Sequence, residues 1–100
     1  MSRSYTVKGA LGGEIMAREH SPVNPPPDNM PTLIMCHGWA LTSESWEPVL
    51  RLVHQRRDVR VVTYDQRGHG RSKMGQVKPS IRQLGDDLQA VIEWTTKSGP

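Results

Sequence analysis

Two short apolar runs, starting 27 residues apart, constrain the fold of this chain more than any other feature. The first, Thr32, Leu33, Ile34, Met35 and Cys36, is bounded by Pro31 and Gly38 and has the continuous character of a strand covered on both faces. The second, Val59, Arg60, Val61, Val62, Thr63 and Tyr64, is rich in β-branched residues and bounded by charge. Between them Trp46, Val49, Leu50 and Val53 recur at helical spacing. Ser45 is placed to cap the first turn, where Pro48 is tolerated because its missing N–H would be unpaired anyway. Strand, helix, strand in that order predicts a parallel pair joined by a right-handed crossover, a βαβ unit over residues 32–64. Such a pair must be covered on two sides, yet Leu, Ile and Val together number only 20 of 100 residues and Phe is absent. That share sits at the lower edge of folded compositions, about 20%. A net charge of +3 is too small to hold the chain open, and 100 residues suit one domain and not two.

The flanking segments fit an α/β class. Tyr5, Val7, Ile15 and Ala17 alternate around Gly12 and Gly13, which predicts a hairpin over residues 4–19 with the glycine pair in its turn. Residues 21–31 hold Pro22, Pro25, Pro26, Pro27 and Pro31 and form an extended loop that can join no sheet. A loop rich in Gly and Arg occupies residues 65–79. Ser80 then caps a helix over residues 80–97, with Ile81, Leu84, Leu88, Val91 and Ile92 as its apolar stripe and Asp86, Asp87 and Glu93 off it.

Several functions are set aside by composition. No apolar run approaches membrane-spanning length and the N-terminus lacks a basic-then-apolar signal region, so the chain reads as cytoplasmic with no membrane partner. Cys36 cannot form an internal disulfide and is expected as a small buried hydrophobe. His20, His37, His54 and His69 lack the spacing of a metal site, so neither a metal nor a cofactor is expected. Charge is uneven: the first fifty residues carry three basic and five acidic side chains, the last fifty ten and five. The basic residues Arg51, Arg56, Arg57, Arg60, Arg67, Arg71, Lys73, Lys78 and Arg82 are interspersed with acids and poor in aromatic neighbours. They read as a solvated face and not as a nucleic-acid surface.

Three stretches together resemble the α/β-hydrolase family. Met35-Cys36-His37-Gly38-Trp39 is similar to the oxyanion loop that follows the family's third strand. Tyr64-Asp65-Gln66-Arg67-Gly68-His69-Gly70-Arg71-Ser72 carries the D-x-R-G-x-G-x-S segment that follows its fourth, through Asp65, Arg67, Gly68, Gly70 and Ser72. Trp46 with its helix, and residues 80–94, look like the first two sheet-covering helices. The resemblance covers residues 5–99 and implies the N-terminal part of an α/β-hydrolase fold, a hairpin followed by strand, helix, strand and helix, with an incomplete sheet over residues 1–100. It implies that the Trp39 backbone N–H is an oxyanion donor, that His37 and Gly38 build the loop with His37 as a brace, and that Asp65 accepts turn amides. Within the family, His37-Gly38-Trp39 followed by Ser43-x-x-Trp46 is similar to the haloperoxidase, esterase and epoxide-hydrolase-like branch with small substrates.

The family's nucleophile sits on a G-x-S-x-G elbow, followed by the triad acid and histidine. No such elbow occurs here; around Ser72 the second glycine is missing, and Asp65, His69, Asp86 and Asp87 precede the place where the nucleophile would stand. Gly68-His69-Gly70 does not meet the spacing of a phosphate loop either. The expectation is therefore a segment of a hydrolase acting on ester or related acyl bonds of a small molecule, inactive alone. The alternative is a non-catalytic half-domain whose open strand edge, residues 32–36, binds a complementary fragment or a second copy of itself.

Overall fold

The computed structural model describes residues 2–9, 13–27, 30–37, 42–72 and 80–97. Strands β1 (Ser2–Lys8), β2 (Glu14–His20), β3 (Leu33–Cys36) and β4 (Val61–Tyr64) form one sheet in the order β1-β2-β4-β3. The hairpin β1–β2 is antiparallel, with Tyr5 opposite Ala17 and Val7 opposite Ile15. β2 pairs antiparallel with β4, and β3 pairs parallel with β4, Leu33 opposite Val61 through Cys36 opposite Tyr64. Helices α1 (Glu47–Arg56) and α2 (Ile81–Lys97) pack against this mixed sheet.

The period-two alternation of β4 divides the core between the two helices. Val62 and Tyr64 join Val7, Ile15, Ala17 and Val91, with Leu88, Ala90 and Trp94 of α2 packed against them. Val61 joins Leu50 and Val59, flanked by Met30, Met35 and Val53. Each cluster is small. Buried polar ties carry much of the remaining cohesion: Arg60 reaches Glu19 at 2.5 Å and the Thr95 carbonyl at 3.2 Å, fastening β4 to β2 and to the end of α2.

The packing corrects several expectations. The hairpin ladder runs to Lys8 opposite Glu14 and is closed by the Gly9 N–H on the Gly13 carbonyl at 2.9 Å. Gly13 thus ends the ladder, and Gly12, the other glycine of the expected turn, lies outside the described residues. A Cβ on Gly13 would overlap the Arg67 guanidinium, so this glycine is needed for space. The cap is Thr42 and not Ser45. A 3₁₀ turn, Ser43–Trp46, precedes α1; Thr42 Oγ1 accepts the Glu44 N–H at 3.3 Å, and Ser45 Oγ donates to the Thr42 carbonyl at 2.8 Å.

The apolar stripe of α2 is rotated from the expected one. Asp87 is 1% exposed and Ile81 88% exposed, because the buried face follows Leu84, Asp87, Leu88, Val91 and Thr95. Ser80 Oγ does receive the Gln83 N–H, at 3.1 Å, as an N-cap does. Finally, β3 is not covered on both sides. At one edge of the described sheet it leaves Leu33 40% exposed and Cys36 exposed, so Cys36 is not the buried hydrophobe its sequence neighbours suggest. The basic residues divide as well: Arg51, Arg56, Arg57, Arg71 and Arg82 are exposed, whereas Arg60 and Arg67 are buried. Lys73 and Lys78 lie outside the described residues.

Candidate active-site segment

Because β3 and β4 are parallel, their C-terminal ends emerge on the same side of the sheet, the position at which open α/β sheets bind ligands. His37 follows one and Asp65 the other. The main chain of Asp65 binds β2 through its N–H, which donates to the Met16 carbonyl at 3.0 Å. Its carboxylate spans two loops: Oδ1 accepts the Ser43 N–H at 2.7 Å and Oδ2 the Arg71 N–H at 3.1 Å. The turn that brings Arg71 back needs left-handed backbone at Gly68 (φ 73°) and Gly70 (φ 51°). At Gly70 a Cβ would also stand 2.6 Å from the Asp65 carboxylate, so carboxylate and glycine require each other.

Ser72 closes the same turn. Its hydroxyl donates to the Asp65 carbonyl at 2.5 Å and accepts the Met16 N–H at 2.8 Å. Both roles of this hydroxyl are consumed by main chain, which is the chemistry of a structural tie. Arg67 turns inward and meets Asp87 of α2 in a bidentate pair, Nε to Oδ2 at 3.0 Å and Nη2 to Oδ1 at 2.9 Å, with the two side chains 0% and 2% exposed. The Asp87 hydrogen bonds favour the charged guanidinium, pushing its pKa up. Gly9 and Gly13 of the hairpin leave the room this pair occupies.

His37 is buried at the end of β3. Its Nε2 accepts the Gln66 backbone N–H at 2.8 Å, and the Gln66 side-chain amide donates back to the His37 carbonyl. The same amide lies 3.2 Å from Cys36 Sγ. The His69 ring faces His37, centroids 5.3 Å apart, and its Nδ1 lies 3.0 Å from the Arg67 carbonyl. Beneath them Tyr64 is buried, and burial first, then its hydrogen bond with Cys36, pushes the phenol well above its ordinary value. Gly38 and Trp39, the other two residues of the expected oxyanion loop, lie outside the described residues.

Thus the structure brings His37, Asp65, Arg67, Gly68, Gly70 and Ser72 into one network at the strand ends. Gln66, Asp87 and Ser43 belong to it too, and were not singled out by sequence. Asp87 had a legible signal, since it stands three residues after Leu84 and four before Val91, within the stripe it was assigned to oppose. Among the described residues, no group of three or more His, Cys, Asp or Glu side chains could hold a metal ion. No helix of the described residues is long and apolar enough to cross a membrane. Away from the strand ends, a groove of about 1060 Å³ runs between β3 and α1, lined mainly by Met30, Leu33, Val49, Leu52, Val53 and Val59, with Arg56 and Arg57 also in its wall.

A parallel strand pair flanked by a hairpin, with the His-Gly and D-x-R-G-x-G-x-S segments at its carboxyl ends, defines the front of an α/β-hydrolase sheet. The chain belongs to the alpha/beta hydrolase fold family, whose model matches residues 31–96. It is 34% identical over 73 residues to the bifunctional esterase/perhydrolase of Acinetobacter calcoaceticus, which covers 73% of this chain and 26% of that protein. It is 50% identical over 56 residues to a non-heme haloperoxidase of Rhodococcus erythropolis, covering 56% of this chain and 20% of the other. A haloalkane dehalogenase from Bradyrhizobium elkani superposes with a TM-score of 0.74 at 20% identity, over 96% of this chain and 30% of that one. The chain thus spans about a quarter of the length of the curated relatives it matches.

Proposed function

We propose that this chain is the oxyanion-loop segment of a hydrolase that acts on ester or related acyl bonds of a small molecule. In this reading the Trp39 N–H stabilises charge that develops on the substrate oxygen, with His37 and Gly38 shaping the loop. The nucleophile comes from outside these 100 residues, whose sequence holds no G-x-S-x-G elbow. The observation that carries the proposal is the anchoring of His37 to Gln66 and of Asp65 to Ser43 and Arg71, at the adjacent carboxyl ends of β3 and β4. The esterase named for the Acinetobacter relative supports the substrate class.

The test joins the full chain to the C-terminal remainder of the Acinetobacter esterase/perhydrolase and follows p-nitrophenyl acetate hydrolysis. The expected result is burst kinetics from the fusion and none from the 100-residue chain. Trp39→Pro in the fusion, which deletes one N–H, should lower kcat about 10²- to 10³-fold. A burst from the chain alone, or full kcat in the Trp39→Pro fusion, would falsify the proposal.

The second reading, a non-catalytic half-domain that pairs with a second copy, is favoured by the edge position of β3 beside its apolar groove. A discrete dimer on size exclusion with slowed amide exchange at residues 33–36 would support it, and exchange-competent monomer would remove it.

A further inference from the structure

We propose that Gln66, at a position the D-x-R-G-x-G-x-S pattern leaves open, is a positioning residue that sets the ring and the carbonyl of His37, from which the catalytic loop departs. The inference rests on the oxyanion reading of residues 37–39. Gln66 makes both contacts. Its backbone N–H donates to His37 Nε2 at 2.8 Å. A backbone N–H cannot accept, so the bond exists only when Nε2 carries a lone pair, and the neutral ring then holds its proton on Nδ1. The Gln66 side-chain amide meanwhile donates to the His37 carbonyl. That oxygen belongs to the planar peptide unit through which the chain leaves residue 37, so holding the oxygen holds the plane and the direction of exit.

Around the clasp, the Cys36 thiol also reaches the His37 carbonyl, at 3.7 Å, a weaker sulfur contact on the oxygen that the Gln66 amide holds. The Asp65 carboxylate is occupied by the Ser43 and Arg71 amides. The His69 ring is tilted by 50° to that of His37 at 5.3 Å between centroids, with its Nδ1 beside the Arg67 carbonyl, and Cys36 Sγ lies 3.2 Å from the Gln66 amide nitrogen. Glutamine suits the position because it extends a neutral donor. A glutamate of the same shape would turn an acceptor towards the carbonyl, and a methionine would offer no N–H.

The ring is read by long-range proton–nitrogen correlation on the 100-residue chain, and the expected species is the Nδ1–H tautomer of His37. Gln66→Met keeps the backbone N–H, so this tautomer should persist while the His37 carbonyl carbon resonance moves to that of a released carbonyl. In the fusion described above, Gln66→Met should lower kcat about 10- to 100-fold with KM within about twofold and the urea midpoint near the parent's. His37→Gln, whose Oε1 can take the place of Nε2, should retain more activity than His37→Leu.

An Nε2–H ring in the parent chain overturns the proposal, and so does a Gln66→Met fusion with kcat within twofold of the parent. A parent fusion that folds but shows no burst, with both resonance signatures as stated, refutes the oxyanion reading itself and leaves the clasp as architecture. The two failures are therefore distinguishable.

Discussion

Removing the Asp87 carboxylate tests the internal logic of the fold most directly. Asp87 gives Arg67 two hydrogen bonds, at 3.0 and 2.9 Å, in a pocket where the guanidinium is 0% exposed. In Asp87→Ala the guanidinium keeps its charge and loses its counter-ion, and breaking such a buried pair from one side costs about 3–5 kcal/mol. Domains of this size are stable by about 5–15 kcal/mol, and the small clusters on either face of this sheet favour the lower end. Asp87→Ala should therefore lose half or more of its folding free energy, with Tm lowered by roughly 12 °C or more at about 4–8 °C per kcal/mol. Asp87→Asn keeps the shape and one acceptor and should cost about 1.5–3 kcal/mol. The double replacement Arg67→Met with Asp87→Leu removes charge and counter-charge together, and should recover most of the loss. Urea unfolding followed by far-ultraviolet circular dichroism compares the three variants with the parent. If Asp87→Ala costs under about 1 kcal/mol at unchanged m-value, the pair is not desolvated and the reasoning is wrong.

Other outcomes follow from the same contacts. Gly13→Ala would drive a methyl group into the Arg67 guanidinium and should destabilise by about 1–3 kcal/mol, whereas Gly85→Ala, on the exposed face of α2 with nothing within 4 Å of the added carbon, should stabilise by about 0.8–1.0 kcal/mol. Equal urea midpoints for the two would contradict both assignments. Ser72→Ala leaves the Met16 N–H and the Asp65 carbonyl each short of a partner and should cost about 1–3 kcal/mol, yet spare the burst amplitude of the fusion. A lost burst in a folded variant would make the hydroxyl chemical. His20, buried against Thr63 Oγ1 at 3.0 Å, has its pKa lowered from 6.5 chiefly by burial. The unfolded chain then binds the extra proton first, so stability should be complete above pH 6.5 and fall as pH drops from 6.5 towards the lowered native value. Urea midpoints across that range should flatten in His20→Gln, and an unchanged slope would remove His20 as the cause.

How far the sequence reveals this fold depends on whether the informative contact is local. The βαβ unit was readable because strand runs and helical spacing are periodic within a dozen residues, and the D-x-R-G-x-G-x-S segment because its glycines answer to their own backbone. Ser45 misled because the chain enters α1 through a 3₁₀ turn capped by Thr42, whose Ser43 N–H is held by Asp65, 22 positions away. Asp87 misled because a carboxylate on a helix is normally solvated, and only Arg67, 20 positions earlier, makes its burial favourable. Cys36 misled for the opposite reason: a continuous apolar run implies cover on both faces, and at the end of β3, an edge strand of the described sheet, this residue is exposed.

These long-range polar ties also bear on how a thin core can hold a site. Asp65, Ser72 and Arg67 lie within eight residues of one another, yet their partners are Met16 in β2, Ser43 ahead of α1 and Asp87 in α2. One turn therefore fastens the hairpin and both helices to the carboxyl end of β4. Buried hydrogen bonds of this kind are costly if left half-made and strengthen one another when complete, so the network favours one arrangement over its near alternatives. Hydrophobic packing alone tolerates sliding; an Asp65 carboxylate held by two amides from different loops does not. The cohesion that six buried apolar side chains on one face and three on the other cannot supply is thus concentrated at the strand ends.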